Sequence, residues 1–216
     1  MPRKYELKRR AERQEETRRR IVEATVELHR ELGLARTTIS AIAERAGVER
    51  LTVYRHFPDD VALLSACSAR FAELHPLPNP AEWTVLTDPE TRLRKALADI
   101  YTYYRGAEPM LTNVFHDAPH LAAMGDILDS WESYWRQVHE ILLAGWGAPQ
   151  GNEAALTATV GLAVDLGTWR ALTQRQGLSD SDAASLMTHL VRCATGGPDN
   201  APHLRELRET GDGHTP

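Results

Sequence analysis

An all-α fold is expected from three features of the 216-residue sequence. Apolar residues recur at three- and four-residue steps through most of the chain, the period of a helix with one buried face. Two short stretches of that kind, Ile39–Ala46 and Arg50–Phe57, meet at a single glycine, Gly47. Elsewhere helix starts and stops are written plainly, as in Asp88-Pro89-Glu90, which offers a cap, a proline at the first helical position and an early acid.

The elements follow in order. Residues 1–13 form a basic arm with Arg3, Lys4, Lys8, Arg9, Arg10 and Arg13. Two readings stay open for it: a solvated, disordered tail, or an arm that reaches phosphates or a minor groove. A first helix is expected from about Gln14 to Leu32, with Ile21, Ala24, Thr25, Leu28 and Leu32 inward. Thr38 then caps a helix carrying Ile39, Ile42, Ala43 and Ala46, and Gly47 ends it in the left-handed region. Glu49 precedes the next helix as a weak cap, and Val53 and Phe57, four apart, lie on its inner face. A fourth helix runs from Asp59 to about Leu74, with Val61, Leu64 and Phe71 inward. Pro76, Pro78, Pro80 and Trp83 mark His75–Asp88 as a loop at a domain boundary. Beyond it come a helix to about Tyr104, a short helix from Glu108 to Val114, a turn at His116–His120 and a helix from Leu121 to Leu143. Asn152–Gln176 is apolar nearly all round and reads as one helix buried on both sides, followed by an amphipathic helix from Asp180 to Cys193. The tail from Gly196 is rich in Gly, Pro and polar residues and reads as disordered.

With Val53 and Phe57 buried, Arg50, Leu51, Thr52, Tyr54, Arg55 and His56 face outward or sideways. Leu51 and Tyr54 among basic residues are odd on a solvated face and sensible on one that meets thymine methyls and phosphates. Two helices bent at a glycine, the second with that surface, read as a helix-turn-helix entering the major groove.

From Arg20 to Leu64 the chain resembles the DNA-binding domain of the tetracycline-repressor (TetR/AcrR) family. The resemblance rests on Ile21, Ala24 and Leu28, Gly33, Thr37-Thr38, Ile42-Ala43, Ala46-Gly47-Val48, Thr52-Val53-Tyr54 and His56-Phe57. Two positions depart from the pattern. His29 stands where the family usually has an aromatic, and Asp60 stands where it often has a phosphate-contacting lysine. Asp59 and Asp60 suit a helix N-terminus instead. The implied organisation is an arm (1–13), a DNA-binding domain (14–58, motif about 39–58), a connecting helix (59–75), an effector-binding and dimerisation domain (76–195) and a tail (196–216). The resemblance implies a ligand-responsive repressor. Arg50, Leu51, Thr52, Arg55 and His56 would face base edges, while Arg36, Thr38, Arg45 and Tyr54 would hold phosphates. Helices at about 152–176 and 180–193 would pair as a four-helix bundle in a homodimer on a palindromic duplex.

Charge distribution agrees. The formal net charge is −5, yet residues 1–57 hold 14 Lys+Arg against 9 Asp+Glu, and the remainder 11 against 21. A basic head can dock on phosphates while an acidic body stays off them. Two cysteines, Cys67 and Cys193, far apart within helical patterns, suit a reducing cytoplasm and packing roles. The charged N-terminus is no secretory signal, and the longest apolar run, Ala154–Val164, is too short to span a bilayer. A cytoplasmic protein without membrane contact is expected.

A small apolar or aromatic effector would need an apolar concavity with a few polar groups. Candidates for its lining are Tyr101, Tyr104, Met110, Phe115, Met124, Trp131, Trp135, His139 and Trp169, any of which could equally be core. Asp165, in the apolar 152–176 stretch, reads as a buried carboxylate in need of a partner. His116, Asp117 and His120 match no closed metal site, so neither metal nor cofactor is expected. No phosphate loop, nucleophile elbow or HExxH pair supports catalysis. A helical enzyme or a protein-interaction module with a helix-turn-helix head is the alternative.

Overall fold

The computed structural model describes residues 2–117, 124–147 and 152–196, and every regular element among them is helical. The chain divides into two compact units, one of residues 1–77 with 105–133, the other of 78–104 with 134–216.

The first unit begins with α1 (Pro2–Leu32), which runs unbroken through the stretch read as an arm. Residues 3–13 contain no Gly or Pro and are rich in Arg, Lys and Glu, all good helix formers. Ile21, Val22, Ala24 and Leu28 of α1 pack with Ile42, Ala43 and Ala46 of α2 (Ile39–Ala46), Val53 of α3 (Arg50–His56), Phe57, and Leu63 of α4 (Asp60–Leu74). Asp59 caps α4, accepting from Ala62 N at 2.8 Å, and Asp60 adds negative charge to the first turn. The inward face of α4 differs from the expected one. Leu63 and Cys67 are buried, Leu64 and Phe71 are half-buried, and Val61 is 52% exposed. Leu63 packs into the α1–α3 core and Cys67 against Val26 and Met110, and this packing leaves Val61 to solvent.

The C-terminal part of α6 (Pro89–Asp117) completes this unit. The stop expected near Tyr104 and the separate helix at Glu108–Val114 merge into this one element despite Pro109. Ala107, Met110 and Leu111 around that proline are buried, and their packing outweighs one missing backbone bond. Asn113 Nδ2 donates to the carbonyls of His29 (3.0 Å) and Arg30 (2.9 Å) at the end of α1. Asp117 Oδ2 accepts from Ala35 N at 2.9 Å. Gly33, at φ +88°, makes the turn between them, and a Cβ there would lie 2.7 Å from Asp117 Oδ2. His29 is buried with Nδ1 3.5 Å from Cys67 Sγ. Burial pushes the His29 pKa down to about 4, partly offset by the charge of Asp117.

In the second unit Trp83, Leu93, Leu97, Ile100, Tyr101, Tyr104, Val138, Leu142, Val160 and Trp169 are buried. The Pro-rich loop holds one helical turn, α5 (Ala81–Thr84), anchored by Trp83, whose Nε1 donates to Asp99 at 2.9 Å. α7 (Gly125–Leu143) matches the expected end at Leu143, while the expected first residues 121–123 lie outside the described residues.

The single helix expected over Asn152–Gln176 is broken. α8 (Glu153–Val164) stops at Asp165, α9 (Leu166–Arg170) follows, and a π-helical turn covers Ala171–Arg175. Asp165 is exposed rather than buried, correcting its reading as a carboxylate in need of a partner. It caps α9, accepting from Thr168 N at 2.7 Å. The carbonyls freed at the end of α8 are taken by tyrosines: Tyr101 Oη donates to Ala163 O (2.8 Å) and Tyr104 Oη to Val164 O (2.6 Å). α10 (Asp180–Ala194), capped by Ser179, packs with α8. The tail beyond Gly196 lies outside the described residues, and among those described no helix is long and apolar enough to cross a membrane.

Two measurements check this account. Gly33→Ala should cost about 2–3 kcal/mol in urea unfolding, since it strains a positive φ and displaces the Asp117 carboxylate from Ala35. Above pH 6.5 His29 is neutral folded or unfolded and contributes no pH dependence. As pH falls from 6.5 towards 4, only the unfolded chain takes up the proton, and up to about 3 kcal/mol of stability is lost. His29→Phe should flatten that part of the stability–pH curve. The contribution of Asp117 is separate: Ala35 N–H and His116 hold its carboxyl below the usual range, so it is lost only at still lower pH.

Candidate nucleic-acid interface

Thr38 sits in extended backbone, and its Oγ1 accepts from Ala41 N at 3.2 Å, closing the start of α2. Gly47 ends α2 at φ 63°, ψ 43°, the left-handed conformation that bends the chain into α3. Arg20 of α1 donates to the Ala46 and Gly47 carbonyls, the latter at 3.1 Å, and so caps α2 from outside. No sequence-local signal marks Arg20 for this role, because its partners lie 26 and 27 residues away.

Glu49 precedes α3 without a side-chain cap bond, so this helix is held by its buried face. Val53 is 0% and Phe57 3% exposed, and the Arg18 guanidinium lies over the Phe57 ring at 4.7 Å. The opposite face presents Arg50, Leu51 (65% exposed), Tyr54 (48% exposed) and Arg55, with Thr52 and His56 half-buried beside them. Neither Arg50 nor Arg55 is ion-paired among the described residues. A leucine, a tyrosine and two unpaired guanidinium groups thus share one face of a seven-residue helix. It offers bidentate donors, a methyl contact and a phenol in a footprint the width of a major groove.

The residues assigned to phosphates divide. Arg36 and Thr38 are exposed at the start of α2 and Tyr54 on α3. Arg45 instead donates to Glu31 (2.9 and 3.1 Å) and Glu27 (3.2 Å), bracing α2 against α1. These acids raise the Arg45 pKa, and a phosphate at Arg45 would have to displace them.

The effector candidates fall into both units. Tyr101, Tyr104, Trp135, His139, Asp165 and Trp169 belong to the second. There Tyr101, Tyr104 and Trp169 are buried, with their polar atoms held by Ala163, Val164 and Asp180. Trp135 and His139 are half-buried, with the Trp135 ring 6.0 Å from that of Tyr104, and burial lowers the His139 pKa. Met110, Phe115, Met124 and Trp131 belong to the first unit, where Met110 and Met124 are buried. Phe115 is 38% exposed and meets Trp131 edge-on, with ring centroids 5.4 Å apart. His116 pairs with Asp117 at 2.7 Å, His120 lies outside the described residues, and among the described residues no group of three or more potential ligands is placed to hold a metal.

The packed trio α1–α2–α3, with α3 turned outward, is a helix-turn-helix DNA-binding domain. Residues 21–67 match the family described as bacterial regulatory proteins, tetR family. Over 96 residues the chain is 35% identical to the HTH-type transcriptional regulator TtgR of Pseudomonas putida, a stretch covering 44% of this chain and 46% of that protein. The chain thus spans about half the length of the curated relatives it matches. Among solved structures, a TetR-like transcriptional regulator from Rhodococcus sp. RHA1 aligns with TM-score 0.59 at 18% identity, covering 84% of this chain and 97% of that one. NalD of Pseudomonas aeruginosa, the secondary repressor of the MexAB-OprM multidrug efflux pump, aligns with TM-score 0.57 at 20% identity, covering 85% and 97%. At these identities the structural matches speak to the fold.

Proposed function

We propose that the chain is a sequence-specific, ligand-responsive transcriptional repressor that acts in the cytoplasm as a homodimer on palindromic DNA. The observation that carries this reading is the outward face of α3, with Arg50, Leu51, Tyr54 and Arg55 exposed on a scaffold that matches the tetR family. Two such helices about one turn of duplex (~34 Å) apart would read two half-sites. Repression is favoured by the likeness to NalD and to the regulator TtgR.

Dimerisation is supported by apolar side chains left uncovered on α8 and α10. Leu162 is 56%, Leu186 39% and Leu190 43% exposed, and α8 and α10 pack on each other. Exposed leucines on two helices that pack on each other suit a self-complementary helical interface. A small apolar or aromatic effector is supported by the partly open Phe115–Trp131 pair. Release of DNA would require the effector to favour the non-binding state by about 5.5 kcal/mol for a switch from 1:99 to 99:1.

Operator selection from random duplexes, followed by mobility shift, tests the DNA reading. Arg50→Ala and Tyr54→Ala should each weaken binding roughly 10- to 100-fold, as loss of a base or phosphate contact does. Circular dichroism and dimerisation should be unchanged; wild-type affinity in both variants would overturn the assignment of α3. A Leu162→Glu/Leu190→Glu variant should sediment as a folded monomer and lose its preference for palindromes. If it remains dimeric, the interface lies elsewhere.

A further inference from the structure

The stripe of α1 that buries Ile21, Ala24 and Leu28 continues towards the N-terminus through Arg18, Gln14 and Arg10, at steps of three and four residues. The same helical face therefore changes from apolar to cationic one turn before the core begins. That cationic part faces a groove of about 790 Å³ whose lining includes Arg10, Arg13, Thr17 and Arg18 of α1, and Arg55 and His56 of α3. Glu15 is the one acid in the lining. Like charges thus look at each other across a gap, and Glu15 alone in the lining does not balance Arg10, Arg13, Arg18 and Arg55.

Pairing elsewhere in the domain sharpens the contrast. Arg19 is held by Glu16 and Glu23, Arg45 by Glu27 and Glu31, and Arg70 by Glu23 and Glu73. Arg10, Arg13 and Arg55 have no ion pair among the described residues. Arg18 is committed to the Phe57 ring, which fixes one wall of the groove at the end of α3.

We propose that this groove between the N-terminal third of α1 and the end of α3 is a second DNA-contact site. It seats backbone phosphates flanking the half-site, with Arg10 and Arg13 as the phosphate-holding groups. The inference rests on the reading of α3 as the major-groove helix and adds a separate, sequence-independent contact. Because α1 is one continuous helix from Pro2, the guanidinium groups of this stripe are carried on the same rigid element that supports α3. The contact is therefore fixed in register with the reader and needs no ordering of a tail. Thr52 in the lining adds a hydroxyl donor suited to phosphate oxygens.

The test uses the full chain and its selected operator, in a duplex extending about one helical turn (~10 bp) beyond each half-site. An Arg10→Ala/Arg13→Ala variant should bind more weakly, by the same factor on the operator and on a random duplex of equal length. Its slope of log K against log salt should be shallower by about 2 per reading head. Arg10→Lys/Arg13→Lys should restore the slope, and trimming the flanks should bring the wild type to the level of the alanine variant. Wild-type affinity and slope in the alanine variant, with an unchanged helical spectrum, would overturn the proposal. A loss confined to the operator would also overturn it, because that would make these arginines readers of sequence. If the wild type ignores duplex DNA altogether, the failure lies with the α3 reading itself.

Discussion

The helix that faces DNA in this reading has seven residues, and seven residues do not hold a helix by themselves in water. Its persistence and its aim come from one buried stripe on α1. Ile21 and Val53 are both fully buried, and Phe57, Ile42, Ala46 and Leu63 close around them. Everything exposed on α3 depends on that packing, because the buried positions determine which residues are left outside. Polar bonds then lock the same geometry. Arg20 caps α2 across the turn, and Thr38 closes its start.

Electrostatics sorts the arginines of this domain into two populations. Arg19, Arg45 and Arg70 brace helices through pairs with glutamates, most of them exposed and individually worth little. Among the described residues Arg10, Arg13, Arg50 and Arg55 have no such pairs, and they lie on α3 or along the groove beside it. A protein that carries an overall formal charge of −5 thus gathers a group of unpaired cations beside α3. An even solvated coat would place acids among them. The separation of paired from unpaired groups is the electrostatic counterpart of the buried stripe.

Much of the first unit was legible in the sequence because its determinants are local. Thr38 and Gly47 delimit α2 by backbone chemistry that holds wherever the segment lies, and Asp59 does the same for α4. The spacing of Val53 and Phe57 settled which face of α3 points out. What escaped was non-local. A stop is expected near Tyr104, but buried Ala107, Met110 and Leu111 carry α6 straight on through Pro109. Asp165 interrupts the apolar run 152–176 and reads from the sequence as a buried carboxylate within one helix, whereas it caps a second one. The carbonyls exposed by that break are satisfied by Tyr101 and Tyr104, some sixty residues earlier. Those tyrosines were candidates for a ligand as large aromatics with polar handles, and within this protein the partners of their hydroxyls are the end of α8.

The same reasoning explains His29. A position that could hold an aromatic ring instead holds an imidazole, which is tolerated only while it stays neutral. The Cys67 thiol beside it, its pKa pushed up to about 12 by burial, is equally reluctant to ionise. Two titratable side chains therefore behave as ordinary packing at neutral pH, and the charge nearest them is Asp117, held by the Ala35 backbone N–H and His116. That carboxylate and Asn113 fasten the end of α6 to the α1–α2 turn, close to Thr37 and Thr38, where the reading motif starts. The turn tolerates the arrangement because Gly33 has no Cβ to meet Asp117. The start of the motif is thus set by residues about eighty positions away in the chain, on the part of α6 that belongs to the same compact unit.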